Sequence, residues 1–387
     1  MDSLFPFGFP AASAWYLTLL VVTFALHQAF VQYVAAGSLY LTWATIFPGR
    51  QAPPRAARPL AATLRDWLPF GLGAAITAGV APLLFVQIVY PQGFYTANLL
   101  LAWRWLIVIP VLGIAFYLLY LLKSQRLSHW PRAGQAAVAV VTTGCLLFVG
   151  FCWTSNHLLS VRPASWPDVY ISGRLPQTAS EVVSRLLVWL GGAFATMGAV
   201  AGWQLRSQQP GQETGAVAAQ TRQLATLALG GTAVVLAAGL IYARQSEELS
   251  RVLWTPLARP YFNAALFGAA LEAGAWVGQL RRSRLDRTSL AIASVGTAIG
   301  LVSVAVLREA TRLASVDVEA LYPHHADAAA IGGLTAFLLF AVINFGLVGF
   351  CIWLVRRGLG RAQRASPSEP AADDRQATST PRARALR

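Results

Sequence analysis

LLLAWRWLIVIPVLGIAFYLLYLL, residues 99–122, carries a single charge, Arg104. A helix rises about 1.5 Å per residue, so a run of this length crosses the ~30 Å hydrocarbon core of a bilayer. Lipid offers no partner to a free backbone N–H or C=O, so such a segment must be helical. Working outward from it, the chain shows nine apolar stretches, at about 15–46, 67–90, 99–122, 134–156, 183–205, 222–243, 256–280, 288–308 and 329–355. The first is longer than a bilayer needs and is expected to tilt or to extend beyond it. The predicted fold is all-α, a polytopic membrane helix bundle of about nine transmembrane helices forming one domain over residues 1–357.

Composition points the same way. Of 387 residues, 56% are hydrophobic and only 12% are charged, against roughly 25% charged in soluble domains. Thirteen Trp and eleven Tyr supply rings that favour the membrane–water interface. In a soluble protein the net charge of +14 would suggest a nucleic-acid partner. Here the basic residues fall in short loops and a tail, so topology accounts for them. Membrane lipid is the expected partner, and nucleic acid is not.

Alternate loops are basic. Arg50, Arg55, Arg58 and Arg65 lie in one, Lys123, Arg126 and Arg132 in the next, then Arg206 and Arg222, then Arg281, Arg282, Arg284 and Arg287. Eight more arginines follow residue 355. The intervening loops are neutral, mixed or, around Asp317, Glu319 and Asp327, acidic. The positive-inside rule places the basic loops in the cytoplasm. That gives an outside N-terminus and a cytoplasmic C-terminus, in agreement with an odd number of spans. MDSLFPFGFPAAS, the opening segment, has no basic n-region, so the first apolar run is expected to be a permanent span rather than a cleaved signal. Residues 358–387, rich in Arg, Ala, Ser, Pro and Asp, are expected to form a disordered, Arg-rich cytoplasmic tail.

An ionisable residue inside a span is a functional candidate because its burial is costly. His27 lies about twelve residues into the first stretch, with Gln28 and Gln32 beside it. On the predicted topology, Gln87 ends the second span on the outer side. Arg104 follows between Trp103 and Trp105, and the fourth span rises to Asn156 and His157, with Arg162 just beyond. Polar groups from four spans therefore converge on the outer half. A neutral imidazole can ligate haem iron or hydrogen-bond a quinone, and Arg104 could neutralise a propionate or a semiquinone anion. Each residue also has a structural alternative. His27 could bond a neighbouring helix, Arg104 could snorkel to the interface, and Asn156 with His157 could cap a helix end. Glu272 is the sole carboxylate well inside a predicted span, suited to proton relay or to pairing with a polar neighbour. His324 and His325 are adjacent, with nothing in the sequence to complete a metal site. The three cysteines, Cys145, Cys152 and Cys351, form no C-x-x-C motif and are expected to be small buried hydrophobes. No phosphate-binding Gly-rich loop, H-E-x-x-H or G-x-S-x-G motif occurs.

Three stretches, LHQAFVQYVAAGSLYL (26–41), GAAITAGVAPLLFVQIVY (73–90) and CLLFVGFCWTSNHLLSVRPASW (145–166), resemble subunit I of cytochrome bd-type quinol oxidases over about the first half of the chain. The resemblance implies nine spans with the N-terminus outside, and a haem-ligating role for His27. Departures accompany it. Trp189 stands where that family has a second haem histidine, no methionine follows Met197, and apolar residues around Phe85 replace an acidic position. The quinol-binding loop is reduced to about residues 244–255. These losses argue against oxygen reduction by the family mechanism. The expectation is an electron-transfer subunit of a respiratory complex in the bacterial cytoplasmic (inner) membrane, working beside other subunits such as cytochromes c. It would hold one b-type haem, a quinone, or neither, with His27 as metal ligand or hydrogen-bond partner and Gln28, Gln87, Arg104, Asn156 and His157 around it. A non-redox transporter or assembly scaffold is the alternative.

Overall fold

The computed structural model describes residues 8–47, 59–175, 179–208 and 214–343, with positions 346, 347, 350, 353 and 357 beyond them. The predicted tail, residues 358–387, lies outside the described residues. All secondary structure among the described residues is helical. Contacts divide the chain into a unit over residues 1–327 and a second over residues 328–387.

The first unit opens with α1 (Ala11–Ile46) and α2 (Pro59–Val89), then α3 (Pro91–Leu101), α4 (Trp103–Leu106) and α5 (Val108–Lys123). After these come α6 (Arg132–Ser160), the short α7 (Trp166–Ser172), α8 (Ala179–Arg206), α9 (Thr214–Gln245) and the short α10 (Glu247–Leu253). The unit is completed by α11 (Arg259–Arg282), α12 (Arg287–Leu313) and the start of α13 (Tyr322–Ala330). The second unit holds a helical stretch at Gly333–Ile343.

Seven helical segments among the described residues are long and apolar enough to cross a membrane. An eighth is counted when Glu319–Ala330 and Gly333–Ile343 are taken as one span. The expected seventh stretch forms a helix, α11, but its polar and charged content keeps it out of that group. The expected third span begins later than its apolar run. Its first residues belong to α3, and Ala102 breaks the chain with φ +51 and ψ −127. Alanine at such an angle is strained, so the backbone there cannot continue α3 into α5.

With 36 residues, α1 is about 54 Å long, well beyond the hydrocarbon core, as its sequence leads one to expect. It packs against α2, α6, α8 and α12. Between helices in lipid there is little hydrophobic drive, so close packing and polar ties hold them together. Two glycine crossings supply the packing. A Cβ added at Gly191 of α8 would lie 2.7 Å from the Gly231 carbonyl of α9. One added at Gly268 of α11 would lie 2.7 Å from the Gly296 carbonyl of α12. Backbones this close exclude any side chain.

Polar ties join α1 to three of its neighbours. Gln32 Oε1 of α1 accepts from Thr196 Oγ1 of α8 at 2.6 Å. Thr42 Oγ1 donates to the Ala139 carbonyl of α6 at 3.0 Å. The Gln223 amide of α9 reaches the Tyr40 hydroxyl at 2.8 Å.

Gly296→Leu is expected to force α11 from α12 and to lower stability by about 1–3 kcal/mol or more, as overpacking does. Gly300→Ala, where an added Cβ meets nothing within 4 Å, is expected to stabilise by roughly 0.5–1 kcal/mol. Thermal unfolding of both variants in one detergent checks the pair.

Candidate functional site

His27 is held on α1 against α2. Its Nδ1 lies 2.9 Å from the Ala75 carbonyl. A carbonyl can only accept, so Nδ1 carries the proton and Nε2 presents a lone pair. That Nε2 makes no hydrogen bond among the described residues. Gly79 lets the ring sit so near α2, since an added Cβ there would be 2.9 Å from Nδ1 and from Cε1. On the same helix the Phe24 ring is 6.5 Å from the imidazole, centroid to centroid. The Arg308 guanidinium of α12 stacks over Phe24 at 4.4 Å.

Arg308 opens a buried cluster. Its Nη1 donates to Glu309 Oε1 at 2.9 Å. Arg312 Nη1 donates to both Glu309 oxygens at 3.1 Å and lies over the Tyr90 ring at 4.9 Å. Glu309 and Arg312 are each 1% exposed, so the pair is fully withdrawn from solvent. The Arg308 carbonyl lies 3.3 Å from His157 Nε2, and Arg185 Nη2 lies 3.0 Å from His157 Nδ1. A carbonyl on one side and an arginine donor on the other fix His157 as the neutral Nε2–H tautomer. Arg185 also donates to the Tyr242 hydroxyl at 3.2 Å, and it has no carboxylate partner among the described residues. Arg308 and Arg312 thus share one carboxylate, Glu309, while Arg185 reaches the cluster only through His157. The excess positive charge suits an acidic or electron-rich ligand beside His27.

Arg308 therefore bonds His157 through its carbonyl and is separated from His27 by the Phe24 ring. The other expected site residues have different partners. Gln28 Oε1 accepts from the Trp189 indole at 2.9 Å, which ties α1 to α8. Gln87 Oε1 accepts from the exposed Tyr95 hydroxyl at 2.9 Å. Asn156 Nδ2 donates to Asn98 Oδ1 at 2.6 Å. Arg104 stacks over Trp103 at 5.2 Å, and its carbonyl accepts from Cys152 Sγ at 3.5 Å. None of these contacts joins Gln87, Arg104 or Asn156 to His27. Arg185, Arg308, Glu309 and Arg312 were missed from the sequence. The available signal was VLREATRL (306–313), in which two arginines and a glutamate recur at helical spacing after an apolar run.

Both ring nitrogens of His325 are engaged. Nε2 donates to the Val89 carbonyl at 3.1 Å, and Nδ1 accepts from Ser13 Oγ at 2.8 Å. Neither nitrogen remains for a metal. Among the described residues no group of three or more His, Cys, Asp and Glu could hold a metal ion. An iron centre at His27 would be held by Nε2, the nitrogen that the Ala75 contact leaves free.

Beyond the end of α6, Arg162 forks between two carboxylates. It reaches Glu181 at 2.6 and 3.1 Å and Glu248 at 2.7 and 3.1 Å. Ser246 Oγ caps α10 through Leu249 N and also bonds Glu248. The Arg162 guanidinium holds Glu248 down to about 2 from 4.5. A depressed folded-state pKa gives stability that is complete above pH 4.5 and lost as pH falls toward 2. Acid unfolding is expected to steepen across that window. Arg162→Met is expected to remove that pH dependence and to destabilise at neutral pH by roughly 3 kcal/mol, as followed by circular dichroism. Compared with known proteins, the chain matches no family model and no curated protein.

Proposed function

We propose that this chain is a multi-pass subunit of a respiratory electron-transfer complex in the bacterial cytoplasmic membrane, similar to cytochrome bd subunit I, with one cofactor position at His27. In this reading α11 and residues 329–355 complete nine spans. The N-terminus lies outside and the arginine-rich end lies in the cytoplasm. Subunits such as c-type cytochromes exchange electrons with it at the outer face.

The observation that carries the reading is the His27 ring. Its Nδ1–H is committed to the Ala75 carbonyl, which is how ligating histidines are oriented and made more basic. Its Nε2 has no hydrogen-bond partner among the described residues, and Arg308 lies one ring away, over Phe24. A b-type haem bound there supplies reversible one-electron transfer. His27 would hold the iron, and Arg308 with Arg185 would neutralise the acidic groups. Of the residues expected around it, Gln28 and His157 would supply polar surroundings, His157 through Arg308, while Gln87, Arg104 and Asn156 would belong to the outer half without touching His27.

If the ligand is instead a quinone, the fixed tautomer selects its reduced form. Nε2 accepts a hydrogen bond, so it suits a quinol hydroxyl and not a quinone carbonyl, which needs a donor. A second reading, a transporter or scaffold without redox chemistry, draws on the break at Ala102 and the two prolines inside α2.

The visible spectrum of the purified protein tests the proposal. A Soret band is expected, absent in His27→Ala and weakened in Gly79→Ala, which pushes the ring from its seat. A colourless protein that still binds a quinol analogue through His27 supports the quinol form. A colourless protein that binds none overturns the electron-transfer reading.

A further inference from the structure

Glu272 on α11 is 4% exposed, and no ion pair engages it among the described residues. Its Oε1 is buried without a hydrogen-bond partner. The same helical face continues through Trp276 and Gln279, at spacings of four and three, and both side chains are 0% exposed. Trp276 Nε1 and Gln279 Nε2 are buried without partners as well. Three orphan polar atoms thus stand in a row on one face of one helix, whereas buried polar groups in folded proteins are ordinarily paired.

The row has a defined end. Gln279 Oε1 accepts from the backbone N–H of Asp286 at 2.7 Å, in the turn that carries Arg281, Arg282 and Arg284. From Glu272 to Gln279 the rise along α11 is about 10 Å. At the other end the side chains of Trp276 and Thr297 approach the carboxyl as hydrogen-bonding neighbours, though neither Glu272 Oε1 nor Trp276 Nε1 reaches hydrogen-bond geometry, and α12 approaches through Gly296. The Thr297 hydroxyl is spent on the Ala293 carbonyl. Charges on the helices packed around α11 lie toward their ends: Arg222 and Arg244 on α9, Glu181, Arg185 and Arg206 on α8, Arg287, Arg308, Glu309 and Arg312 on α12. Among the described residues no cation is therefore at hand to pair with an ionised Glu272.

A lone carboxylate buried without a counter-charge is too costly to keep unless it is protonated or hydrated. Orphan donors and acceptors in series are what ordered water bridges satisfy. We propose that Glu272 is a proton-binding site inside the bundle, reached from the α11–α12 turn by water that bridges Gln279, Trp276 and the carboxyl. The step is a simple transfer. A proton passes from water at the Gln279 end to Glu272 Oε1, converting carboxylate to carboxylic acid, and it returns by the same route. This inference does not depend on what His27 binds.

Infrared spectroscopy of the full chain in lipid vesicles tests it. A carbonyl stretch of a protonated carboxyl is expected, lost in Glu272→Gln and shifted within minutes of transfer to D2O. Gln279→Leu keeps the volume and removes the polar step, so it should slow that shift by about tenfold or more, the equivalent of one lost bridge. A wild-type spectrum without the band overturns the proposal, as does a band that survives Glu272→Gln. A band that resists exchange for hours, or one whose exchange Gln279→Leu leaves unchanged, overturns the water route. Each result is independent of the visible spectrum of the protein.

Discussion

Inside lipid a polar group must find its partner in the protein, because no water is there to replace one. That constraint explains why so many polar side chains of this bundle reach across from one helix to another. Gln28 and Gln32 meet α8, Thr42 meets α6, and Asn98 meets Asn156. Each bond fixes the rotation of a helix that apolar contacts alone would leave free. The glycine crossings fix the distance between helices, and the polar ties fix the angle about the axis. His27 is held by the same rule, through a backbone carbonyl that already belongs to another helix. What sets it apart is that only one of its two nitrogens is used.

The electrostatics divide the bundle. At one end, Arg308 and Arg312 flank a single buried glutamate, and Arg162 sits between two more carboxylates. Paired charges of this kind add less to stability than their number suggests, since desolvation offsets most of the attraction. Their effect is positional. Arg308 is stacked on Phe24, paired with Glu309 and bonded through its carbonyl to His157. The α12 end is thereby locked to α1 and α6 beside the imidazole. Deeper along α11 the balance reverses, with a carboxyl that has no cation near it.

Much of the architecture could be read from the apolar runs, because a segment such as 99–122 has few alternatives to a membrane helix. The limits of that reading have physical causes. Hydropathy does not register a backbone break, so Ala102 and the separate α3 were invisible within one apolar stretch. α11 owes its place to Gly268 against Gly296 and to Trp276 seated at Gly198 and Gly202, contacts that an average over its residues cannot reveal. For the site, a lone histidine in an apolar run stood out. Its neighbours did not, because Arg308 and Arg312 lie at the end of a span, where arginine is ordinary. Only the folded chain shows them turned inward. Gln87 and Arg104 were placed by depth alone, and depth says nothing of which face a residue occupies.

One ring joins parts of the chain made at very different times. His325 bridges Ser13 near the start of α1 and the Val89 carbonyl at the end of α2, and 236 positions separate it from the latter. During synthesis the first two helices must wait with those groups unmatched until nearly the whole polypeptide has emerged. The opening hairpin is then fastened late, by a clasp delivered from α13. A truncated product lacking that clasp would carry an unfinished rim, open to recognition by quality-control proteases.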